Sequence, residues 1–396
     1  MSKMKEKGEI TVRFSPQELR SLRKTARALG YSSVEEYVRS LAISVLPESY
    51  QTSARNNLSL EPIYRTNLGS VYHADALDVL ATLESNSVDL IMTSPPFALL
   101  KKKDYGNADA NEYVRWFAPF AREFKRILKP TGSLVIDIGG SWQKGLPVKT
   151  IYQYELLVHL VKEMGFYLAQ EFFWWNPARL ATPAEWVTIR RIRVKDAVNT
   201  IWWLAKTPYP KASNKRVLQP YSKSQLKLFE KGYNAGPRPS GHKISSDAFR
   251  RNNGGAIPPN LLALANTESN TAYQRYCKEN NLPQHPARFP VLIPAFFIQM
   301  LTDSLDLVLD PFAGSLTTGE AAERLGRRWI CIEKERVYIE GGIGRFEHES
   351  ARLNRNFPTG DSYNVAPPVL KPELDNEPLP EDGGQRRTRN VETRTS

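Results

Sequence analysis

The sequence is poor in cysteine: Cys277 and Cys331 are the only two in 396 residues. That excludes a disulfide framework and a Cys-rich zinc site, and fits a reducing cytoplasm. No apolar run approaches the roughly 18–20 residues that a membrane-spanning helix needs. The opening MSKMKEKGEI is basic, but no apolar stretch follows it, so a secretory signal is not expected. His242 and His285 stand without metal-ligand spacing, no metal is expected, and His285 reads as shaping a turn. There is neither G-x-G-x-x-G nor G-x-x-x-x-G-K-[ST], which disfavours a dinucleotide site and an ATP-hydrolysing P-loop.

What the chain has in excess is positive charge, a formal net +12. A polyanion, with nucleic acid the usual candidate, is the implied partner. The charge is concentrated. Residues 206–251 hold eleven Lys and Arg against Glu230 and Asp247, a net +9, among many Gly, Pro, Ser and Asn. A loop-rich insertion that follows a phosphate backbone has this composition, and so does a solvated basic loop.

The ends differ from the middle. In EITVRFS (9–15), Ile10, Val12 and Phe14 alternate with Glu9, Thr11 and Arg13, the pattern of a half-buried strand. Ser15-Pro16-Gln17-Glu18 then forms a capping box. The helix it opens carries Leu19, Leu22, Ala26 and Leu29 and stops at Gly30; a second begins at Ser33 and ends at Pro47. Strand, helix and helix in under 40 residues cannot bury a core alone, whereas two copies pairing their strands can. The segment resembles the ribbon–helix–helix DNA-binding family. That resemblance implies a homodimer through residues 9–46, with Thr11 and Arg13 facing base edges; a dimerisation element without DNA contact is the alternative.

The organisation expected is therefore residues 1–48 as this small domain, 49–62 as a polar linker, 63–350 as a catalytic domain with the basic insertion at 207–256, and 351–396 as a disordered Pro- and charge-rich tail. Within 63–350, SVYHAD, SVDLIMTS, GSLVIDIG, FFWW, VNTIWWLA, LDLVLD and RRWICIE alternate with helical stretches, which predicts a parallel, doubly wound α/β sheet.

Two stretches carry chemistry. In LDLVLDPFAGSLTTG an apolar strand ends at Asp310, a tight loop follows, and a helix starts near Thr317 or Thr318; the next strand, RRWICIE, ends at Glu333. Ligands of open α/β sheets bind beyond the carboxyl ends of strands, where a small-residue loop admits a ligand and a strand-end acid can take two ribose hydroxyls. The other stretch is DLIMTSPPF, a buried strand ending in Ser94, Pro95, Pro96 and Phe97.

Together these motifs resemble the amino-methylating DNA methyltransferases. Asp310, Pro311, Phe312, Gly314, Ser315 and Thr317 with Glu333 are similar to their S-adenosyl-L-methionine motif; HPARFPVLIPAFFIQML, with Phe289 and Pro290, is similar to the adjoining motif at the methionine end; and TSPPF is similar to the catalytic motif in its cytosine-N4 form. DAVNTIWWLAKTPYPKASNK and GGAIPPNLLALANTESN also resemble this group from restriction–modification systems. The catalytic motif comes first, the permuted β-class order. Leu316 stands where glycine is frequent.

The resemblance implies a Rossmann-like fold, S-adenosyl-L-methionine as methyl donor, a flipped cytosine in double-stranded DNA, and a possible cognate restriction endonuclease. Ser94 and the Pro95 carbonyl would accept the amine's N–H groups, Phe97 would stack on the base, and Asp75 would meet the adenine of the cofactor or cap a helix. Lys101, Lys102 and Lys103 read as a solvated face or a phosphate clamp, and Arg238, Lys243, Arg250 and Arg251 as base readers. Asp137 reads as a structural strand-end acid, and no general base is nominated. Carbon-5 methylation is disfavoured, since neither cysteine is placed for covalent attack. Adenine-N6 methylation remains an alternative, as does a regulator with a degenerate catalytic domain. A third reading joins the two: an active enzyme whose small domain represses its own operon.

Overall fold

The computed structural model describes residues 14–28, 34, 37–38, 61–99, 108–232, 236–245 and 250–347. The strand expected at 9–15 lies almost wholly outside them, as do Thr11, Arg13, Lys101, Lys102, Lys103 and the tail. Helix α1 (Pro16–Ala28) opens on the expected capping box: Glu18 N donates to Ser15 Oγ at 3.3 Å, and Ser15 N donates to Glu18 Oε2 at 2.8 Å.

In chain order there follow β1 (Tyr64–Arg65), β2 (Gly69–His73), α2 (Ala76–Thr82), β3 (Val88–Thr93), α3 (Tyr113–Ile127), β4 (Leu128–Ile138), α4 (Tyr152–Lys162), β5 (Tyr167–Trp175) and β6 (Val198–Ala205). Next come α5 (Lys223–Lys231), a short hairpin of β7 (Gly236–Pro237) and β8 (Lys243–Ile244), β9 (Leu261–Ala263), α6 (Ala272–Glu279) and α7 (Leu292–Leu301). Last are β10 (Leu307–Asp310), α8 (Thr317–Arg324), β11 (Arg328–Glu333) and α9 (Arg336–Glu347). Nine strands form one sheet in the order β1-β2-β11-β10-β3-β4-β6-β5-β9.

β3 is central, and all six of its residues are buried, as a strand covered on both faces requires. Leu90 and Met92 face one core with Phe296 and Phe297 of α7 and Ala321 and Ala322 of α8. Ile91 faces the other, with Leu80 of α2, Phe117 and Phe124 of α3 and Leu156 of α4. Helix α7 is apolar except for Gln299 and buried from Ile293 to Leu301, which makes it a core helix. Among the described residues no helix is long and apolar enough to cross a membrane.

β2, β11, β10, β3 and β4 run parallel, but the purely parallel sheet expected from the sequence is not what forms. β6 inserts antiparallel between β4 and β5, and β1 pairs antiparallel with β2. Period and length give away a strand but not its direction; β5 and β6 are joined without a crossover helix, so they pair as a hairpin. This reversal has two consequences. The β5–β6 connection, residues 176–197, emerges at the carboxyl edge of β3, β4 and β10. The basic insertion leaves the sheet at the opposite edge, where Lys211 N donates to Thr131 O at 2.9 Å.

Leu316 adopts a left-handed conformation, φ 61° and ψ 28°, just ahead of α8. A branched residue there costs on the order of 1–2 kcal/mol of backbone strain. Its side chain is nonetheless fully buried, lodged where a Cβ on Gly342 of α9 would lie 2.6 Å from Leu316 Cγ. Gly342→Ala should therefore destabilise the chain by about 1–3 kcal/mol through overpacking. Urea denaturation should find this loss, and Leu316→Ala in the same chain should recover part of it; an unchanged midpoint in Gly342→Ala would show that the helix simply shifts.

Candidate active site

Strand order reverses its sense between β10 and β3: from β10 the chain proceeds to β11 on one side, and from β3 to β4 on the other. Crevices at such switch points are where open α/β sheets bind ligands. Both motifs singled out in the sequence end there, on neighbouring strands.

Asp310 joins them. Its buried carboxylate accepts from Thr93 Oγ1 at 2.7 Å, Thr318 Oγ1 at 2.6 Å and Phe312 N at 3.1 Å. Burial pushes its pKa up to about 6, against the pull of those three hydrogen bonds. Asp310 thus clamps β3, the loop and α8 together. Ser315 and Thr317 are also buried; Arg345 of α9 donates to Ser315 O at 2.5 Å and Ser315 Oγ at 3.1 Å, and pairs with Glu320 at 2.5 Å. Phe312 turns toward α3, its ring 5.0 Å from Phe120 and 5.8 Å from Trp116.

Glu333 accepts from Gly314 N at 2.7 Å and Glu335 N at 2.8 Å, one to each oxygen, and burial raises its pKa. Each carboxylate oxygen keeps a second lone pair, which suits the two hydroxyl donors of a ribose. The donor set and the small-residue loop therefore fit a nucleoside cofactor. Asp75 caps α2 through Leu77 N at 3.0 Å and lies 3.9 Å from Lys334 Nζ, beside the end of β11. Phe289 and Pro290 lead into α7, Phe289 packed against the core and Pro290 buried. His285 does shape a turn, accepting from Ala287 N at 3.2 Å, and its ring stands edge-on to Tyr338 at 4.5 Å.

Across the switch point Ser94 is half-buried, and its Oγ lies 3.2 Å from Asp137 Oδ2. Tyr113 OH donates to Pro96 O at 2.8 Å, fixing the diproline from α3. Phe97 lies over Gly139, where a Cβ would come within 2.7 Å of the ring. Burial pushes the Asp137 carboxyl up to about 6, opposed by hydrogen bonds from Asn199 and Ser94 and by the Arg179 charge. Asn199 Nδ2 donates to Asp137 Oδ1 at 3.2 Å, and Arg179 Nη1 donates to Asn199 Oδ1 at 3.0 Å. Sequence reasoning gave Asp137 a structural part and missed Asn199, Arg179, Thr93, Thr318 and Arg345. Asp137's strand-end position was the one available signal.

A DNA methylase family model matches residues 88–343, which spans the whole of this geometry. The chain is a DNA methylase of that family. It is 48% identical over 302 residues to the Type II methyltransferase M.PvuII of Proteus hauseri, covering 75% of this chain and 90% of that protein. The Type II methyltransferase M.BglII of Bacillus subtilis is 26% identical over 298 residues, 74% of this chain and 73% of that one. The solved PvuII DNA methyltransferase, described as cytosine-N4-specific, superposes with a TM-score of 0.60 at 42% identity, covering 74% of this chain and 91% of that one.

Two groups of basic residues on the described surface bear on the methylase's partner. Lys243, Arg250 and Arg251 of the insertion are exposed and Arg238 is half-buried, with Arg238 N closing the β7–β8 turn on His242 O at 2.9 Å. The second group was not foreseen: Arg190, Arg191, Arg193 and Lys195 are exposed on the 176–197 connection, at the Ser94 edge.

The Asp310 clamp is testable. Its folded pKa lies above the usual carboxylate value, so its contribution to stability is full at acid pH and lost as pH rises through about 6. Thr93→Val removes a donor, raises that pKa further and should cost about 1–3 kcal/mol near neutrality. In urea unfolding the deficit should be larger at pH 7.5 than at pH 5; an equal deficit at both would mean that only packing was lost.

Proposed function

We infer that this methylase transfers a methyl group from S-adenosyl-L-methionine to the exocyclic N4 amine of cytosine in double-stranded DNA, within a restriction–modification system. One juxtaposition carries the reading: a serine hydroxyl backed by a buried carboxylate stands one strand away from the acid-ended nucleoside pocket. The likeness to a cytosine-N4-specific methyltransferase at 42% identity supports the choice of base. Adenine-N6 methylation, which usually places Asp or Asn where Ser94 stands, has no observation in its favour.

The cytosine amine is a poor nucleophile because its lone pair is delocalised into the ring. Ser94 Oγ and the Pro95 carbonyl accept its two N–H groups and localise that pair, while Phe97 holds the ring face. S-adenosyl-L-methionine, when bound, supplies the electrophilic methyl. As the N–C bond forms, the methyl's bond to the sulfonium sulfur breaks and its electron pair leaves with the neutral thioether; the nitrogen becomes cationic and must lose a proton. Ser94 Oγ accepts that proton and passes its own hydroxyl hydrogen to Asp137, which leaves the serine neutral. Rate then comes from preorganised acceptors and position. Glu333 takes the ribose hydroxyls, Gly314 and Ser315 let the loop approach the cofactor, and Phe289 and Pro290 close its methionine end. The base leaves the duplex to reach Ser94.

The basic insertion follows the phosphate backbone and reads bases with Arg238, Lys243, Arg250 and Arg251, and Lys101, Lys102 and Lys103 clamp phosphate beside the catalytic loop. Residues 9–46 pair two copies through a ribbon–helix–helix with Thr11 and Arg13 on DNA, and the enzyme works in the cytoplasm beside a cognate endonuclease.

Ser94→Ala should lower kcat by at least about a hundredfold and abolish N4-methylcytosine in the DNA of expressing cells, read by nucleoside mass spectrometry. N6-methyladenine in place of N4-methylcytosine would overturn the base assignment. Because Asp137 must be ionised to hold Ser94 as a proton donor, kcat should fall about tenfold per pH unit below about 6. Deleting residues 1–48 should convert a dimer to a monomer in sedimentation and leave methylation intact; a dimer that survives the deletion would refute the ribbon.

A further inference from the structure

We propose that Arg179 is a positioning residue: it sets the direction of the hydrogen-bond chain that ends at Ser94, and thereby makes the serine oxygen an acceptor toward the target amine. The inference rests on the amine-methylation reading and extends it to a residue outside both motifs.

The chain runs Arg179, Asn199, Asp137, Ser94, with links of 3.0, 3.2 and 3.2 Å. Asn199 and Asp137 are 5% and 2% exposed, so the two middle members have little water to satisfy them. A side-chain amide has an oxygen end and a nitrogen end of nearly equal size, and on its own Asn199 fits either way round. A guanidinium only donates. With Arg179 at one end, the amide oxygen must face it, and the amide nitrogen must face Asp137. Asp137 therefore receives a proton donor at Oδ1, which favours its ionised, acceptor-only form. An ionised Asp137 in turn requires Ser94 to donate through its only hydrogen. The outward lone pairs of Ser94 are then left to accept an N–H from the amine. In the opposite direction a protonated Asp137 donates to Ser94, whose hydrogen points outward at the amine lone pair and ties up the electrons that must attack.

The other groups around Asp137 do not impose a direction. Tyr152 of α4 donates to the Gly139 carbonyl, and its pKa is raised far above neutrality by burial. Lys149 is paired with Asp196 at 2.8 Å. Thr93 is committed to Asp310. Among the described residues Arg179 is the cation hydrogen-bonded into the chain. Its backbone is held in place by local bonds. Arg179 N donates to Asn176 O at 3.1 Å, Asn176 Oδ1 accepts from Ala178 N at 3.1 Å, and Lys195 Nζ bridges Pro177 O at 3.0 Å and Arg179 O at 3.3 Å. The polarity of the buried site is thus set from an exposed residue of the 176–197 connection, on the edge where Ser94 opens.

The test uses the full-length enzyme, tritiated S-adenosyl-L-methionine and unmethylated phage DNA, with wild type, Arg179→Met and Arg179→Lys. Arg179→Met should lower kcat about ten- to a hundredfold, with KM for DNA changed by less than about threefold. Its acid limb should move to higher pH, so that the loss is greater at pH 6.5 than at pH 8.5. Arg179→Lys keeps a donor-only cation and should return both the rate and the limb toward wild type. If Arg179→Met melts early, the Lys variant alone decides: a wild-type rate and limb from a lysine that reaches Asn199 supports the proposal, and a limb displaced as far as an Asn199→Ala limb opposes it. A fall that is wholly in KM, or a limb that does not move, would overturn the proposal and leave Arg179 as a DNA contact. Wild type that forms no N4-methylcytosine would instead refute the amine-methylation reading itself, whereas N4-methylcytosine formed with no acid limb in the wild type would overturn the proposal alone.

Discussion

The buried carboxylate of Asp310 is the constraint on which the site depends. β3 and β10 are neighbours with only two paired positions, Val308 with Leu90 and Leu309 with Ile91, so backbone hydrogen bonds alone hold their ends loosely. Asp310 closes that junction by taking one donor from β3, one from the loop and one from α8. Burying a carboxylate is unfavourable unless its lone pairs are met, and here three donors meet them. The Ser94 and Glu333 sides of the crevice are thereby tied to one junction.

The rest of the crevice is braced from behind. Arg345, on the last described helix, grips Ser315 through both carbonyl and hydroxyl and is itself neutralised by Glu320. Phe312 is seated on the aromatic wall of α3, and Tyr113 of the same helix ties down the Pro96 carbonyl. One helix therefore holds parts of both motifs. The Asp137 side is built differently: its partners come from β3, β6 and the 176–197 connection, and they form a polar chain that reaches the surface.

Much of this was legible in the chain. Each strand run found by period and length within 63–350 exists, the Ser15–Glu18 box caps a helix, and the α8 helix starts at Thr317, one of the two positions the loop composition indicated. Leu316 shows where legibility ends. It reads as a departure from glycine at a turn, and it does occupy a glycine-like conformation, but the space that tolerates it belongs to Gly342, 26 positions away. Asp310 and Ser315 read as ligand-facing from their place in a motif; their side-chain oxygens are turned inward, onto partners that only the fold brings near.

The sequence by itself determined the α/β alternation, the two motifs at strand ends and the concentration of positive charge, because period, capping and composition are local properties. The tertiary structure decided strand direction, and with it which loops share an edge with Ser94. β6 runs backward, so the 176–197 connection emerges beside the end of β3 while the more basic insertion departs from the far edge. It also decided the partners of buried polar groups: Thr93 with Asp310, 217 residues apart, and Ser94 with Asp137, 43 apart. A hydrogen bond is set by distance in space, and spacing along the chain carries no trace of it.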